Sequence, residues 1–259
     1  MTAERIFKSH TAARYPRPKP LPDPEKIIDM NQEPNLTIAR YMLKDRFSDR
    51  DDVLVSGDGY LCFDTSTMSE DGWLVPDCVV AFGVSPQPIY DRNGYVINEV
   101  GKSPDFVLEV ASESTGMNDY TTKLAAYARL GVTESWLFDA TGGRFHDAPM
   151  SGHRLVDGVY APIPLRRDAD GVIQGHSEVL GLDICWDDGR IRFWDPVTEE
   201  YLRDLTETRT ALSETRTALT EAKAVLAQAK AGRDEERAAR MAAEAEADLL
   251  REQLRRLQQ

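Results

Sequence analysis

The apolar positions of the chain follow two rhythms. Leu36, Ile38, Ala39, Met42, Leu43 and Phe47 recur at helical spacing, so a helix is predicted over residues 36–47, ended by Asp51 and Asp52. Residues 53–55 and 60–63 then read as two short strands about the turn Gly57-Asp58-Gly59, a hairpin pattern. Strands are also predicted over 73–82, introduced by Pro76-Asp77, and over 95–100. Phe106, Val107, Leu108 and Val110 make a near-continuous apolar run, the pattern of a strand covered on both faces. Glu109 alone breaks it. A polar turn follows, then a helix from about residue 118 to 130, stopped by Gly131. Residues 135–139 form the next strand. Beyond it the chain is strand-rich, with strands at 154–156, 159–163, 179–186 and 191–194 between Gly-containing turns.

From about Glu199 the rhythm becomes a seven-residue repeat. Leu205, Leu212, Leu219 and Leu226 share heptad position a, and Thr208, Thr215, Ala222 and Ala229 share d. Leu254 returns to a, with Leu250 and Leu257 at d, while Gly232, Arg233, Glu236 and Arg240 interrupt the seam. The repeat predicts a coiled-coil helix over 201–259 and self-association through 201–257. At the other end, residues 1–30 carry proline at alternate positions between Tyr15 and Pro24, which blocks both helix and ladder and predicts an extended arm. The body of the protein is therefore expected over 31–200.

Charge adds a constraint. The net charge is −13, but residues 201–259 hold 11 basic and 11 acidic side chains, and residues 27–200 hold 14 basic against 30 acidic. That surface is a poor match for a phosphate backbone unless metal ions or the tail compensate. No apolar run is long enough to span a bilayer, and the N-terminus lacks the apolar core of a secretory signal, so a cytoplasmic, non-membrane protein is expected. Cys62, Cys78 and Cys185 show no zinc-ligand spacing and read as small buried hydrophobes. His10, His146, His153 and His176 likewise show no metal spacing, and phosphate-loop and G-x-S-x-G patterns are absent.

The candidate chemistry centres on Glu109. A buried carboxylate is costly unless it is paired, hydrogen-bonded or bound to metal. On the following helix Tyr120, Leu124, Tyr127 and Leu130 share one face, and Lys123 lies within that arc. A lysine there must snorkel or meet a carboxylate. Glu109 is one such carboxylate, and Asp77 could stand on a neighbouring strand. Two readings follow from these residues. They form a buried ion pair without catalysis, or two carboxylates that hold Mg2+ beside a lysine that orients water or offsets charge.

The segment Pro104-Asp-Phe-Val-Leu-Glu-Val-Ala-Ser-Glu-Ser-Thr115, followed by Asp119, Lys123, Tyr127 and Gly131-Val-Thr-Glu-Ser-Trp-Leu-Phe-Asp139, resembles the bacterial Uma2 family. Val75-Pro-Asp77-Cys-Val-Val upstream and Ser177-Glu-Val-Leu-Gly-Leu182 downstream match as well, so the resemblance covers roughly residues 36–200. It implies the restriction-endonuclease-like fold of the PD-(D/E)XK superfamily: α/β, with a mixed central β-sheet flanked by helices. It also implies an endonuclease that uses Mg2+, with Mn2+ as a possible substitute, to hydrolyse phosphodiester bonds of DNA. Asp77 would be the first metal-binding aspartate and Glu109 the second acidic ligand. The superfamily's usual E-x-K lysine would fall at residue 111, which is Ala111, and the resemblance implies a lysine relocated to Lys123. Asp105 is a weaker metal candidate, and Asp119 reads first as a helix-start residue complementing the dipole. Glu113 replaces the family's usual proline in the intervening turn. The alternative is a catalytically silent nuclease-fold scaffold that assembles through its coiled coil.

Overall fold

The computed structural model describes residues 33–65, 73–112 and 117–257, which divide into two units, one ending at Asp204 and one beginning at Leu205. The expected N-terminal arm and the turn over 113–116 lie outside the described residues. The first unit is α/β. Its order is α1 (Glu33–Arg46), β1 (Val53–Ser56), β2 (Tyr60–Cys62), β3 (Cys78–Phe82), α2 (Pro86–Arg92), β4 (Gly94–Val96), α3 (Ile97–Val100), β5 (Phe106–Val110), α4 (Met117–Arg129) and β6 (Glu134–Phe138). Seven strands follow: β7 (Met150–Val156), β8 (Val159–Pro162), β9 (Leu165–Arg167), β10 (Ile173–Ser177), β11 (Leu182–Asp187), β12 (Arg190–Asp195) and β13 (Glu200–Tyr201).

The main sheet has the order β1-β3-β5-β6-β7-β8. β5 runs antiparallel to β3 and parallel to β6. The parallel pair needs a crossover, and α4 is that crossover. Strands β9 to β13 make a second, antiparallel sheet in the order β13-β12-β11-β10-β9.

β5 lies at the centre of the main sheet and is buried at every position, which explains its unbroken apolar run. Its even-numbered residues, Phe106, Leu108 and Val110, join Trp136 and Phe138 in a core shared with Leu36, Ala39, Met42 and Leu43 of α1 and with Leu182, Ile184, Ile191 and Phe193 of the second sheet. Its odd-numbered face meets α4: Val107 packs in a second core with Leu54, Val79, Ala81, Tyr127 and Val132. One face of the central sheet is thus covered by a helix and a sheet together, the other by helices and the small β2–β4 pair.

The two sheets are also joined through a fully buried carboxylate. Glu134 accepts hydrogen bonds from Arg154 Nε and Nη2 (3.1 and 2.9 Å), Trp136 Nε1 (3.1 Å), Ser177 Oγ (2.6 Å) and the Glu178 N–H (3.0 Å). Every partner is a donor, so the charge is compensated where it sits.

Several sequence expectations are corrected. β1 and β2 do not form a hairpin: β1 pairs with β3, and β2 pairs in parallel with β4 in a separate two-stranded sheet. The Gly57 turn leads the chain under Asp77 instead of back along β1. A Cβ at Gly57 would lie 2.1 Å from the Asp77 carbonyl oxygen. The strand expected over 73–82 begins only at Cys78, with Leu74 making an isolated bridge to Leu61. The strand expected over 95–100 turns into the short helix α3 after Val96. Strands β9 and β10 and helix α2 carry little apolar periodicity and are not anticipated.

The second unit is α5 (Leu205–Leu257), a continuous helix of 53 residues. At 1.5 Å per residue it is roughly 80 Å long. Leu212, Leu219, Leu226, Leu250, Leu254 and Leu257 are exposed along it. Among the described residues, no helix is long and apolar enough to cross a membrane.

Candidate active site

Asp77 stands one residue before β3. The β3–β5 ladder pairs Cys78 with Leu108, and extending that register by one step sets Asp77 opposite Glu109. Residues opposite each other in an antiparallel pair point to the same face. Here it is the face covered by α4, since Val79 and Val107 of the same parity pack against Tyr127. Asp77 is almost fully buried, and its Oδ2 accepts the Val110 N–H at 2.7 Å. The carboxylate thereby supplies the acceptor that a backbone carbonyl would supply further along the ladder. At the other end of the residue, the Asp77 carbonyl accepts Arg40 Nε at 2.7 Å, and the same guanidinium pairs with Asp58. Both side chain and main chain of Asp77 are therefore held.

Glu109 is 6% exposed. The Tyr127 hydroxyl donates to its Oε1, and the Lys123 ammonium donates to Oε2 at 3.3 Å. Lys123 and Tyr127 are four residues apart on α4 and so share a face. Burial pushes the Tyr127 hydroxyl well above its ordinary pKa, and the neighbouring Glu109 charge adds to the effect. The hydroxyl therefore remains a donor. Ala111 is buried two residues beyond Glu109 and so faces the same way. A lysine there would reach the site from the strand; Lys123 reaches it from the helix lying over that face.

The structure thus brings Asp77 and Lys123 to Glu109 from two sides. It does not bring Asp105. That residue precedes β5, four positions from Glu109 and about 13 Å along an extended strand. Its carboxylate accepts the Phe82 N–H at 2.8 Å and pairs with Lys102 at 2.7 Å. Asp119 lies in the first turn of α4. Two contributors escaped the sequence reading. Periodicity puts Tyr127 on the apolar face of α4, where packing already explains it; its four-residue spacing from Lys123 is the signal that points to a polar role. Arg40 comes from α1, 37 residues before Asp77, and carried no local signal.

The donor set fits one class of cation. Mg2+ takes oxygen ligands, commonly one or two carboxylates, and keeps several waters. Asp77 and Glu109 supply two buried carboxylates, the hard oxygen donors that such a cation prefers. Among the described residues, no group of three or more His, Cys, Asp or Glu side chains is placed to hold a metal ion, so the site does not resemble a closed zinc centre. The three cysteines are buried and free, and burial pushes the Cys78 thiol up to about 12, which makes it a poor nucleophile.

Among solved structures, the chain is similar to one titled as a putative nuclease belonging to DUF820 from Anabaena variabilis ATCC 29413. The two share 13% identity over 60% of this chain and 77% of the other, with a TM-score of 0.42. No curated protein matches. The model of the Uma2 family, described as "Putative restriction endonuclease", matches residues 35–184, more than half of the chain. That span begins in α1, ends in β11 and contains Asp77, Glu109, Lys123 and Tyr127. The chain belongs to the Uma2 family.

Proposed function

We propose that the protein is a Mg2+-dependent endonuclease that hydrolyses phosphodiester bonds of DNA. The observation that supports this reading is a pair of buried carboxylates at adjoining positions: Asp77 accepts the N–H of Val110, and its neighbour Glu109 pairs with Lys123. Asp77 and Glu109 would hold the cation. When bound, Mg2+ polarises the phosphodiester and lowers the pKa of a coordinated water. The Val110 N–H and the Arg40 clamp orient Asp77 before substrate arrives, so little reorganisation is needed. Lys123 is the cationic donor beside the reacting phosphate, where it orients the attacking water or offsets the charge that develops on the phosphoryl oxygens. Mn2+ is expected to substitute for Mg2+.

The test is Glu109→Gln in the full chain. Metal-dependent cleavage of DNA is expected to disappear while the circular dichroism spectrum is retained. Cleavage at the original rate would overturn the assignment.

A second feature supports assembly. The leucines at heptad position a of α5 are exposed along a 53-residue helix with no buried residue, and such a stripe suits pairing with another copy. We propose a homo-oligomer formed through residues 201–257. Truncation after Asp204 is expected to reduce the mass in solution to that of one chain; an oligomer that survives truncation would exclude the helix as the assembly device. The acidic body favours a silent scaffold as the rival reading. The cleavage assay decides between them, because a scaffold has no activity for Glu109→Gln to remove.

A further inference from the structure

We propose that Tyr127 is a positioning residue of the metal centre: its hydroxyl fixes the orientation from which the Glu109 carboxylate binds a divalent cation. This rests on the reading of Asp77 and Glu109 as metal ligands.

Two α4 side chains donate to Glu109, Tyr127 to Oε1 and Lys123 to Oε2. The two donors differ in what they do when a cation arrives. Lys123 is a flexible four-carbon chain with a side chain 19% exposed, and its ammonium is repelled by a divalent charge at Glu109. Its length lets the ammonium re-aim toward water or phosphate. Tyr127 is neutral, has two side-chain torsions, and is fully buried in the core formed by Leu54, Val79, Val107 and Val132. A packed ring sets the position of its hydroxyl, and no charge drives it away. Of the two donors, Tyr127 is the one that still holds Glu109 in the metal-bound state.

The choice of residue points the same way. A side chain that only filled this core would be served by phenylalanine, since burying a hydroxyl costs free energy unless it is hydrogen-bonded. Here the hydroxyl is spent on the one carboxylate that interrupts the central strand. Partners that orient metal ligands typically change affinity by roughly 10- to 100-fold when removed.

The experiment uses the full chain and Mn2+ as probe. Mn2+ binding is measured by calorimetry for the native chain, for Tyr127→Phe, and for chains carrying p-methylphenylalanine or p-aminophenylalanine at position 127. The methyl analogue fills the hydroxyl's space without a donor, and the amino analogue restores one. Binding is expected to weaken roughly 10- to 100-fold in Tyr127→Phe and in the methyl analogue, and to recover with the amino analogue. A second readout needs no metal. The carboxyl carbon signal of Glu109, identified by its loss in Glu109→Gln, is expected to move in the two donor-free chains and to return with the amino analogue. If Tyr127→Phe fails to fold, the methyl analogue carries the comparison. Equal Mn2+ affinity with and without the donor would reduce Tyr127 to packing and overturn this inference alone. A native chain that binds no Mn2+ would overturn the metal reading and this inference together.

Discussion

Asp77 reaches β5 beside Glu109: it stands one residue before Cys78, the ladder partner of Leu108, and its Oδ2 accepts the N–H of Val110, the residue after Glu109. The contact brings two buried carboxylates to neighbouring positions, one of them met by a lysine and a tyrosine of α4. Left unpartnered, they would repel each other, and their surroundings are arranged accordingly. Asp77 accepts a main-chain N–H, and Glu109 accepts from Lys123 and Tyr127 on different oxygens. The predictions below test how separable these parts are.

Lys123→Met removes the ammonium while keeping an unbranched apolar side chain. DNA cleavage is expected to fall about 10²- to 10³-fold, the usual loss for one transition-state donor. Mn2+ affinity is expected to stay level or rise, because a positive charge has left the neighbourhood of the ligands. Parallel cleavage kinetics and Mn2+ titration check this; equal losses in both would place Lys123 in metal binding instead.

Gly57→Ala tests the support beneath Asp77. The new Cβ would meet the Asp77 carbonyl oxygen at 2.1 Å and Arg40 Nε at 2.5 Å, so the backbone of Asp77 must move. A stability loss of about 1–3 kcal/mol is expected for such overpacking. Mn2+ affinity is expected to fall with it, although residue 57 touches no metal. Urea unfolding and Mn2+ calorimetry on one preparation measure both.

Asp105→Ala separates structure from site. It removes the Lys102 pair and the acceptor for the Phe82 N–H, at a cost of about 1–2 kcal/mol. Mn2+ binding is expected to be unchanged. Loss of Mn2+ affinity in a folded Asp105→Ala chain would bring that residue back as a ligand.

Glu134→Ala addresses the join between the two sheets. It leaves the buried donors of Trp136 and Ser177 without their acceptor, while Arg154, partly exposed, keeps its pair with Glu178. Leaving a buried donor unsatisfied costs about 1–3 kcal/mol. Urea unfolding is expected to show the loss, and a change under 1 kcal/mol would show that the network contributes little.

Thiol burial sets a pH limit on stability. Burial raises the Cys62 thiol to about 11 and the Cys78 and Cys185 thiols to about 12, from an ordinary 9.0. The folded state holds these protons more tightly than the unfolded chain. The stabilisation is present in full below pH 9 and is lost as pH rises toward 12. Thermal melts are expected to fall between pH 9 and 11, and replacing all three cysteines by alanine is expected to flatten that fall.

Much of the architecture was legible because period and burial are local signals. The β5 run announced a strand covered on both faces, and the 36–47 and 118–130 patterns announced α1 and α4 to within a few residues. Glu109 and Lys123 stood out as charges on apolar faces, and the fold pairs them with each other. Tyr127 did not stand out, since a tyrosine on an apolar helix face already looks explained by packing. Asp77 was legible through its motif, but Arg40 was not, because the guanidinium reaches it from an element far away in the chain.

The sequence by itself determined the periods of its elements, the burial of β5, the charges that interrupt buried faces and the heptads of the final helix. These are properties of neighbouring residues, and each is written within a short stretch of chain. Only the tertiary structure decided that β1 pairs with β3 and not with β2, that Asp77 falls opposite Glu109, and that the Tyr127 hydroxyl points at the carboxylate. The physical reason is that an alternation of apolar and polar residues specifies which face a strand buries but not which strand lies beside it. Partner and register are set by the crossover through α4, the close approach at Gly57 and the packing of both faces at once.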